Sequence, residues 1–317
     1  MPRRRQVELV LLGIVVFLPV LVRDLALLDR LGGYFLLAIF AMSVDLIWGY
    51  GGMFTFGHAA FFGGGGYVVA ILTTRAGWLL PLPLVVAVAA AIMGSCLLAW
   101  TLSHLVLSGK LALRGVEFAV VTLAVAVMAE RIATAGGSVT GGQNGILTDA
   151  RLGIPGVISL HRGTGFYVLA AVVAIISYLL LRRYVQSRRG LVLKGVRSNE
   201  HRVSLLGYEV ARIKREAFVI SAGVAALAGS IYYIQFGIIA PRSVGVAAST
   251  LVLLWVVLGG RGTLIGPAIG AIVLPHLTNS LSSGSLLNTW LVIVGVILVL
   301  LIILLPSGIF GFLAGDE

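Results

Sequence analysis

Three carboxylates stand inside apolar stretches of the sequence, where an ionised group is costly unless it is paired or hydrated. They are Asp45, Glu117 and Glu130. Acidic groups in such places are typical of residues that line a path for an ion or a polar solute, which makes Asp45 and Glu117 path candidates. Glu117 also stands close to Arg114, so a structural ion pair is the alternative for that residue. Glu130 is followed by Arg131, which favours a solvated position near an interface.

The glycine-rich segment Gly49–Tyr67 contains the next chemistry-bearing residues, Phe54, Gly57 and His58. Each glycine weakens a helix by about 1 kcal/mol relative to alanine. Membrane proteins accept that cost where helices pack tightly or where exposed backbone lines a cavity. The segment is thus either a broken stretch beside a substrate path or a close helix contact. His58 is either a path residue or a hydrogen-bonded structural histidine.

A similar pattern returns in the second half of the chain, at Val257–Gly270. It again has a glycine pair, a short apolar stretch and further glycines. Paired interrupted segments in opposite halves of a membrane protein are typical of an internal repeat. The sequence therefore predicts such a repeat here.

A basic loop at about 183–214 carries a second kind of site. Asn199 or Ser198 is placed to cap a short helix, Glu200 suits its first turn, and Gly207 suits its end. Val196, Val203 and Leu206 recur at helical spacing and predict one apolar face. Such a helix either lies on lipid headgroups or docks into a groove on a partner.

Enzyme chemistry finds no support in the residue pattern. The five histidines are scattered without paired spacing, and the single cysteine, Cys96, lies in an apolar run. The sequence shows no phosphate-binding glycine–lysine loop, no dinucleotide fingerprint and no zinc motif. We predict no enzyme activity and no cofactor in this chain, so any ATP must be bound by another chain.

The composition of the chain predicts which kind of structural element holds these residues in place. Of the 317 residues, 59% are hydrophobic and 11% are charged, whereas a soluble domain carries about a quarter charged residues. The sequence predicts an all-α protein that crosses the membrane several times, with a single transmembrane domain over 1–317. The net charge of +11 is explained by cytoplasmic loops that face anionic lipid, and nucleic-acid binding is not expected.

Ten apolar stretches are candidate spans, and eight to ten is the predicted range because three of them are short or broken by glycine. They lie at 7–22, 33–50, 59–74, 79–107, 112–132, 164–182, 215–236, 247–259, 263–278 and 288–305.

Orientation follows from the basic residues. Arginines precede the first span and fill the loop at 183–214, and six spans separate these two regions, so both are expected on the cytoplasmic side with both termini. The longest external connection, about 133–163, then faces outward. Its element Thr140–Ile146, with Gln143 and Asn144, is either a glycine-rich turn or a polar segment at the outer mouth of a path.

Several of these stretches together resemble the M-type permeases of ATP-driven branched-chain amino acid importers. The resemblance runs from about 32 to 310 and preserves the order and spacing of its parts. It rests on Gly49–Tyr67, Phe118–Leu123, Thr140–Ile146, Arg197–Gly207, Val257–Gly270 and Leu305–Gly308.

The resemblance implies a complex in a bacterial or archaeal cytoplasmic membrane. It comprises two different permease chains, two ATPase subunits that bind ATP and magnesium, and an extracytoplasmic substrate-binding protein. The loop matching Arg197–Gly207 would engage the ATPases, through Arg197, Asn199, Glu200, Val203, Leu206 and Gly207. The substrate path would run beside Phe54, Gly57, His58, Thr122, Gln143 and Asn144.

Two departures from the family pattern matter for function. Asp45 replaces a residue that is usually neutral, which fits a polar or cationic substrate, and urea, amide and other amino acid importers share this permease type. The alanines that usually follow the acidic residue of the coupling helix are replaced by His201, Arg202 and Ser204. The alternative function is an ion-coupled secondary transporter that uses Asp45 or Glu117.

Overall fold

The structure of the chain is a computed structural model. It describes residues 24–75, 84–107, 115–147, 163–282 and 308–314, with short pieces at 153–154 and 158–159 and the isolated residues Gly13, Val15, Leu18, Pro19 and Gly295. Most of the predicted span at 7–22 and nearly all of that at 288–305 lie outside the described residues.

The described part of the chain is mainly helical. Its helices are α1 (Leu25–Asp45), α2 (Ala59–Ala70), α3 (Leu84–Leu107), α4 (Val116–Ala135), α5 (Gly137–Thr140), α6 (Thr164–Gln186), α7 (Arg188–Ser198), α8 (Glu200–Leu205), α9 (Val210–Phe236), α10 (Val246–Gly259), α11 (Ile265–Ser282) and α12 (Gly308–Ala314). Single π-helical turns extend α1 over Leu46–Tyr50 and α2 over Ile71–Arg75.

Six helical stretches of the described residues are long and apolar enough to cross a membrane: Leu25–Tyr50, Leu84–Leu107, Val116–Ala135, Thr164–Gln186, Val210–Phe236 and Pro241–Gly259. A shorter apolar helix covers Ala59–Thr74. The prediction of an all-α protein that crosses the membrane several times is confirmed.

Helix α1 forms the centre of the bundle and packs against α6, α9, α10 and α11. It begins eight residues before the predicted start, because Asp24 caps it: Oδ1 accepts from the backbone N–H of Ala26 at 2.9 Å and of Leu27 at 3.4 Å. From Gly32 to Asp45 nearly every residue of α1 is buried. A helix that is apolar on all sides is stable only in such a central position.

Glycines allow α2 to lie directly against its neighbours. A Cβ atom at Gly65 would stand 2.5 Å from the carbonyl oxygen of Ala226 in α9, and one at Gly229 would collide with the backbone of Phe62. A Cβ atom at Gly64 would meet nothing within 4 Å. Tight packing therefore explains Gly63, Gly65 and Gly66 of the glycine-rich segment, but not Gly64.

The outer helices leave broad apolar faces uncovered. On α3 the buried positions are small and recur every fourth residue, at Ala87, Ala91, Ser95, Ala99 and Ser103. The large side chains of the other face are exposed, among them Met93, Leu97 and Leu105. Exposed apolar faces of this extent suit contact with lipid hydrocarbon.

The bundle has two distinguishable ends. At one end α7 and α8 carry the arginine-rich sequence, and we call this the basic end. At the opposite end β1 (Ile146–Leu147) pairs antiparallel with β4 (Ile238–Ile239). Separately, β2 (Gly153–Ile154) pairs antiparallel with β3 (Ile158–Ser159).

Candidate functional site

An irregular segment, residues 51–58, separates α1 from α2 inside the bundle. Hydroxyl groups hold its backbone: Thr122 Oγ1 in α4 accepts from the N–H of Phe56 at 3.2 Å, and Thr55 Oγ1 accepts from Gly57 at 3.1 Å. A Cβ atom at Gly57 would lie 2.5 Å from the carbonyl oxygen of Thr122. The structure thus brings together Gly57 and Thr122, two of the predicted path residues, by direct backbone contact.

The next turn of chain is fixed to α10. Ser249 Oγ accepts from the N–H of Ala59 at 3.1 Å, at the start of α2. The hydroxyl satisfies one of the donors that a helix N-terminus leaves unpaired. A small cavity of about 20 Å³ lies beside this region and is lined in part by Gly57, Phe118 and Thr122.

His58 lies just before α2 and is fully buried. Its Nε2 is 2.9 Å from the hydroxyl oxygen of Ser221 in α9, and that hydroxyl donates to the carbonyl oxygen of Ser43 in α1. The ring stacks with Phe40 at 6.2 Å between centroids and meets Phe61 edge-on at 5.5 Å. His58 therefore ties the irregular segment to two central helices, while its Nδ1 has no hydrogen-bond partner in the described structure.

Asp45 is also fully buried, at the end of α1. Its Oδ1 accepts from the N–H of Gly262 at 2.6 Å, and its Oδ2 accepts from the N–H of Leu264 at 2.9 Å. Leu264 has φ of 62°, the one positive φ outside glycine among the described residues. The carboxylate holds the loop between α10 and α11 in a conformation that a leucine rarely adopts.

Three cations surround the π-helical turn that ends α1. The Arg197 guanidinium of α7 donates to the carbonyl oxygen of Gly49. Lys194, one turn earlier on α7, lies over the Tyr50 ring at 5.3 Å, and Arg261 lies over the Trp48 ring at 5.6 Å. Helix α7 and the α10–α11 loop thus hold the same end of α1, through these cations and the Asp45 carboxylate.

Helix α8 is the short capped helix that local sequence rules predict. Asn199 caps it, with its side chain accepting from the N–H of Arg202 at 2.9 Å, and Gly207 with φ of 85° follows its end. Val203 packs inward with Val196, so neither lies on the free surface.

The free face of α8 and the residues that follow it is apolar. Leu205 is 74% exposed, Leu206 is 70% exposed and Tyr208 is 50% exposed. His201 and Arg202 are exposed beside them. We call Leu205, Leu206 and Tyr208 the apolar tip of the basic end.

Glu200 faces the bundle. Its Oε2 accepts from Lys214 Nζ of α9 at 2.6 Å, and the two side chains are 25% and 8% exposed. Lys214, Ser221 and Ser249 were not among the predicted site residues, since their partners stand far away in sequence and each side chain alone fits an ordinary helix position.

The remaining predicted path residues lie apart from this centre. Glu117 is exposed in the first turn of α4, where a carboxylate is favoured by the helix dipole. Gln143 and Asn144 are exposed in a 3₁₀ turn at the opposite end. Phe54 is half-buried and packs edge-on against Trp48 at 5.0 Å.

Comparison with known proteins gives a family match over most of the chain. Residues 27–304 match the model of the family described as branched-chain amino acid transport system / permease component. No solved structure matches the chain at a significant level.

Individual relatives agree with the family model. The chain is similar to the high-affinity branched-chain amino acid transport system permease protein LivM of Salmonella typhimurium, with 27% identity over 264 residues, and of Escherichia coli, with 28% identity over 262 residues. Each match covers 74% of this chain and 59% of the relative's own length. LivH of Escherichia coli is 31% identical over 142 residues, which are 44% of this chain and 46% of LivH.

Proposed function

The chain belongs to the family of permease components of branched-chain amino acid transport systems, and from that premise we propose that it is a membrane-spanning subunit of an ATP-binding-cassette importer. It carries branched-chain amino acids, or similar small polar solutes, inward across a bacterial or archaeal cytoplasmic membrane. A second permease chain, two ATPases that bind ATP and magnesium, and an extracytoplasmic binding protein complete the transporter.

The observation that carries this proposal is the construction of the basic end. An apolar tip stands exposed at the end of a helix that Asn199 caps, and the adjoining helix α7 holds the π-helical end of α1 through Arg197 and Gly49. Such an arrangement suits the transfer of movement from a partner at the tip to the irregular segment inside the bundle. By the positive-inside rule this end, with both termini, faces the cytoplasm.

In this mechanism the ATPases close on binding ATP and displace α8 together with α7. The displacement reaches Trp48, Gly49 and Tyr50 through the three cations around them. The irregular segment then changes its contact with Thr122, the start of α2 changes its contact with Ser249, and the solute path opens alternately to the two sides.

The secondary-transporter alternative finds less support. Both oxygens of Asp45 already accept backbone N–H groups, and Glu117 is exposed at a helix start. Among the residues that the structure describes, no three His, Cys, Asp or Glu side chains converge on a point that would hold a metal ion. Neither carboxylate thus belongs to a cluster of such side chains in the described part of the chain.

The docking role of the apolar tip is testable by a single substitution. Leu205→Ser removes an aliphatic side chain whose burial against a partner is worth about 1.5–3 kcal/mol, so ATPase binding should weaken by about tenfold to a hundredfold. The measurement is the dissociation constant of the purified ATPases for the permease in nanodiscs.

Leu147→Ser is the matched control, because Leu147 is also 74% exposed but lies at the opposite end. ATPase binding to this variant should equal that of the unsubstituted protein. Equal binding by Leu205→Ser would place the docking surface elsewhere.

A further inference from the structure

A long cavity of about 280 Å³ lies along the central helix α1. Helices α6 and α11 both pack against α1, and they form the two walls of the cavity. Its lining on α1 runs from Leu31 to Met42, and its lining on α6 runs from Tyr167 to Tyr178. Each run covers about three helical turns, so the cavity is about 16 Å long.

The lining of this cavity is apolar over its whole length. The described residues that line it are aliphatic, methionine or aromatic. The Tyr167 hydroxyl, toward the outer end, donates to the carbonyl oxygen of Val15 at 2.7 Å. A polar solute would lose its hydration here without gaining hydrogen bonds from these side chains, which is costly. The cavity therefore suits a hydrocarbon group and lies apart from the proposed solute path.

The cavity opens between α6 and α11 toward the outside of the bundle. Ile175, Ile269 and Ile272 are half-buried in its walls, and Val273 is 42% exposed. The volume and the length together give a mean width of about 5 Å, whereas a helix with its side chains is about 10–12 Å across. A single chain of methylene groups fits such a width, and a helix of another subunit does not.

A cation lies next to the inner end of the cavity. Arg182 stands one turn beyond Tyr178 on α6, donates to the Tyr178 hydroxyl at 2.9 Å and lies over its ring at 5.7 Å. By the positive-inside rule this end is at the cytoplasmic headgroups, where anionic phospholipids are attracted to arginine and lysine. One leaflet of the hydrocarbon core is about 15 Å thick, half of the whole, so the cavity matches one leaflet in length.

We propose that this cavity binds one acyl chain of an anionic phospholipid from the cytoplasmic leaflet, with the lipid phosphate at Arg182. The chain lies between α6 and α11, along Phe35, Ala174 and Ile269. A lipid bound there contacts three helices of the bundle at once. The inference does not depend on which solute the protein carries.

The test is native mass spectrometry of the permease complex titrated with two lipids that have the same acyl chains. Palmitoyl-oleoyl phosphatidylglycerol is anionic, and palmitoyl-oleoyl phosphatidylcholine is zwitterionic. The anionic lipid should bind at least about fivefold more tightly, because one arginine near the membrane surface contributes that much. Glycerol phosphate has the phosphate but no acyl chain, and at the same concentration it should not displace the anionic lipid.

A substitution of the cation assigns the headgroup. Arg182→Gln keeps a donor for the Tyr178 hydroxyl and removes the positive charge, so it should weaken phosphatidylglycerol binding by about fivefold. Arg188→Gln is the matched control, because Arg188 is an exposed arginine of the same end that does not adjoin the cavity. That variant should bind phosphatidylglycerol as the unsubstituted complex does.

A substitution in the wall assigns the acyl chain. Ala174→Phe places a ring in the cavity and should weaken the binding of phosphatidylglycerol by about tenfold or more. Val172→Phe is its control, since Val172 lies on the same helix, is 46% exposed and does not line the cavity.

Four results would overturn the proposal: equal binding of the two lipids, displacement by glycerol phosphate, unchanged binding by Arg182→Gln, or equal binding by Ala174→Phe and Val172→Phe. The first two use unsubstituted protein, so protein folding does not affect them. None of the four bears on the importer function, because ATP-driven uptake is not measured. Uptake that needs no ATP would refute the importer function and leave the lipid site untouched.

Discussion

At the level of single residues, Asp45 and Arg197 both fix the end of α1. Asp45 bonds it to the α10–α11 loop, and Arg197 bonds it to α7. Asp45 accepts from Gly262 and Leu264 in the α10–α11 loop, and Arg197 donates to Gly49 in the turn that follows Asp45. Their opposite charges also attract each other. Asp45 therefore fixes the loop to the end of α1, whereas Arg197 connects the end of α1 to α7, which adjoins α8.

Asp45→Asn should destabilise the protein. An amide offers one acceptor oxygen where the carboxylate offers two, so its NH₂ group would face a backbone N–H. A buried hydrogen bond to a charged group contributes about 1.5–3 kcal/mol. Thermal unfolding in detergent should show a clear fall in Tm.

Glu117→Gln provides the comparison for Asp45, because Glu117 is an exposed carboxylate in an apolar segment. Its free energy of unfolding should change by no more than about 0.5 kcal/mol, as for ordinary surface substitutions, so its Tm should stay close to that of the unsubstituted protein. If Asp45→Asn were as stable as Glu117→Gln, the hydrogen bonds of Asp45 would not support the loop.

Arg197→Gln should separate ATP hydrolysis from transport. The neutral side chain loses the charge-assisted bond to Gly49 but leaves the apolar tip unchanged. ATPase binding should stay within about twofold, while solute uptake per ATP hydrolysed should fall by about tenfold or more. Both are measured on the same proteoliposomes.

Arg188→Gln is the control for this experiment, since Arg188 is the exposed first residue of the same helix. It should keep both binding and coupling. Arg197→Lys retains a positive donor and should recover part of the coupling. Normal uptake per ATP by Arg197→Gln would exclude Arg197 from the transmission of movement.

At the level of elements, α2 shows how glycines with the same sequence context differ in role. Gly65 lies against the carbonyl group of Ala226, whereas Gly64 faces open space. The four-glycine run Gly63–Gly66 is therefore not uniform. The roles of the four glycines can be told apart only from the atoms that pack against each of them.

Gly65→Ala should lower stability, because the new methyl group would stand 2.5 Å from a backbone oxygen that cannot move freely. Overpacking of this kind costs about 1–3 kcal/mol. Gly64→Ala should instead leave stability unchanged or raise it by up to about 1 kcal/mol, through helix propensity. The paired Tm values check both; a fall of the same size in each variant would contradict the packing of α2 on α9.

Local patterns in the sequence predict elements well and contacts poorly. Asn199 as a helix cap and the interruption of helix near Gly57 follow from the residues themselves, since capping and glycine propensity act over a few positions. Three contacts of the site join positions more than 100 residues apart: those of His58 with Ser221, Ala59 with Ser249, and Asp45 with Gly262. Rules that act over a few neighbouring residues, such as capping and helix propensity, cannot predict such contacts.

The same distinction applies to the basic loop. Helical spacing predicts one apolar face with Val196, Val203 and Leu206. The structure buries Val196 and Val203 and exposes Leu206, because the face is shared between the bundle and the surface. The packing position of α9 determines which part of this apolar face stays exposed. The predicted internal repeat between Gly49–Tyr67 and Val257–Gly270 stays a prediction.

At the level of the whole molecule, the protein has two kinds of surface, the apolar outer faces and the basic end, which suit different surroundings. The exposed leucines and valines of α3, α4 and α6 suit lipid, and the arginines of α7 and α8 suit water and a protein partner. The irregular segment lies between these regions and donates a hydrogen bond to α4, and the first residue of α2, directly after it, donates one to α10. A movement that begins at the basic end thus needs to pass through only a few contacts to reach the proposed substrate path.

The most direct measurement of this account is leucine uptake into proteoliposomes that contain the chain, its permease partner, the ATPases and the binding protein. Uptake should require hydrolysable ATP, should be absent with a non-hydrolysable analogue, and should not respond to a proton or sodium gradient without nucleotide. Uptake driven by an ion gradient without nucleotide would contradict the account.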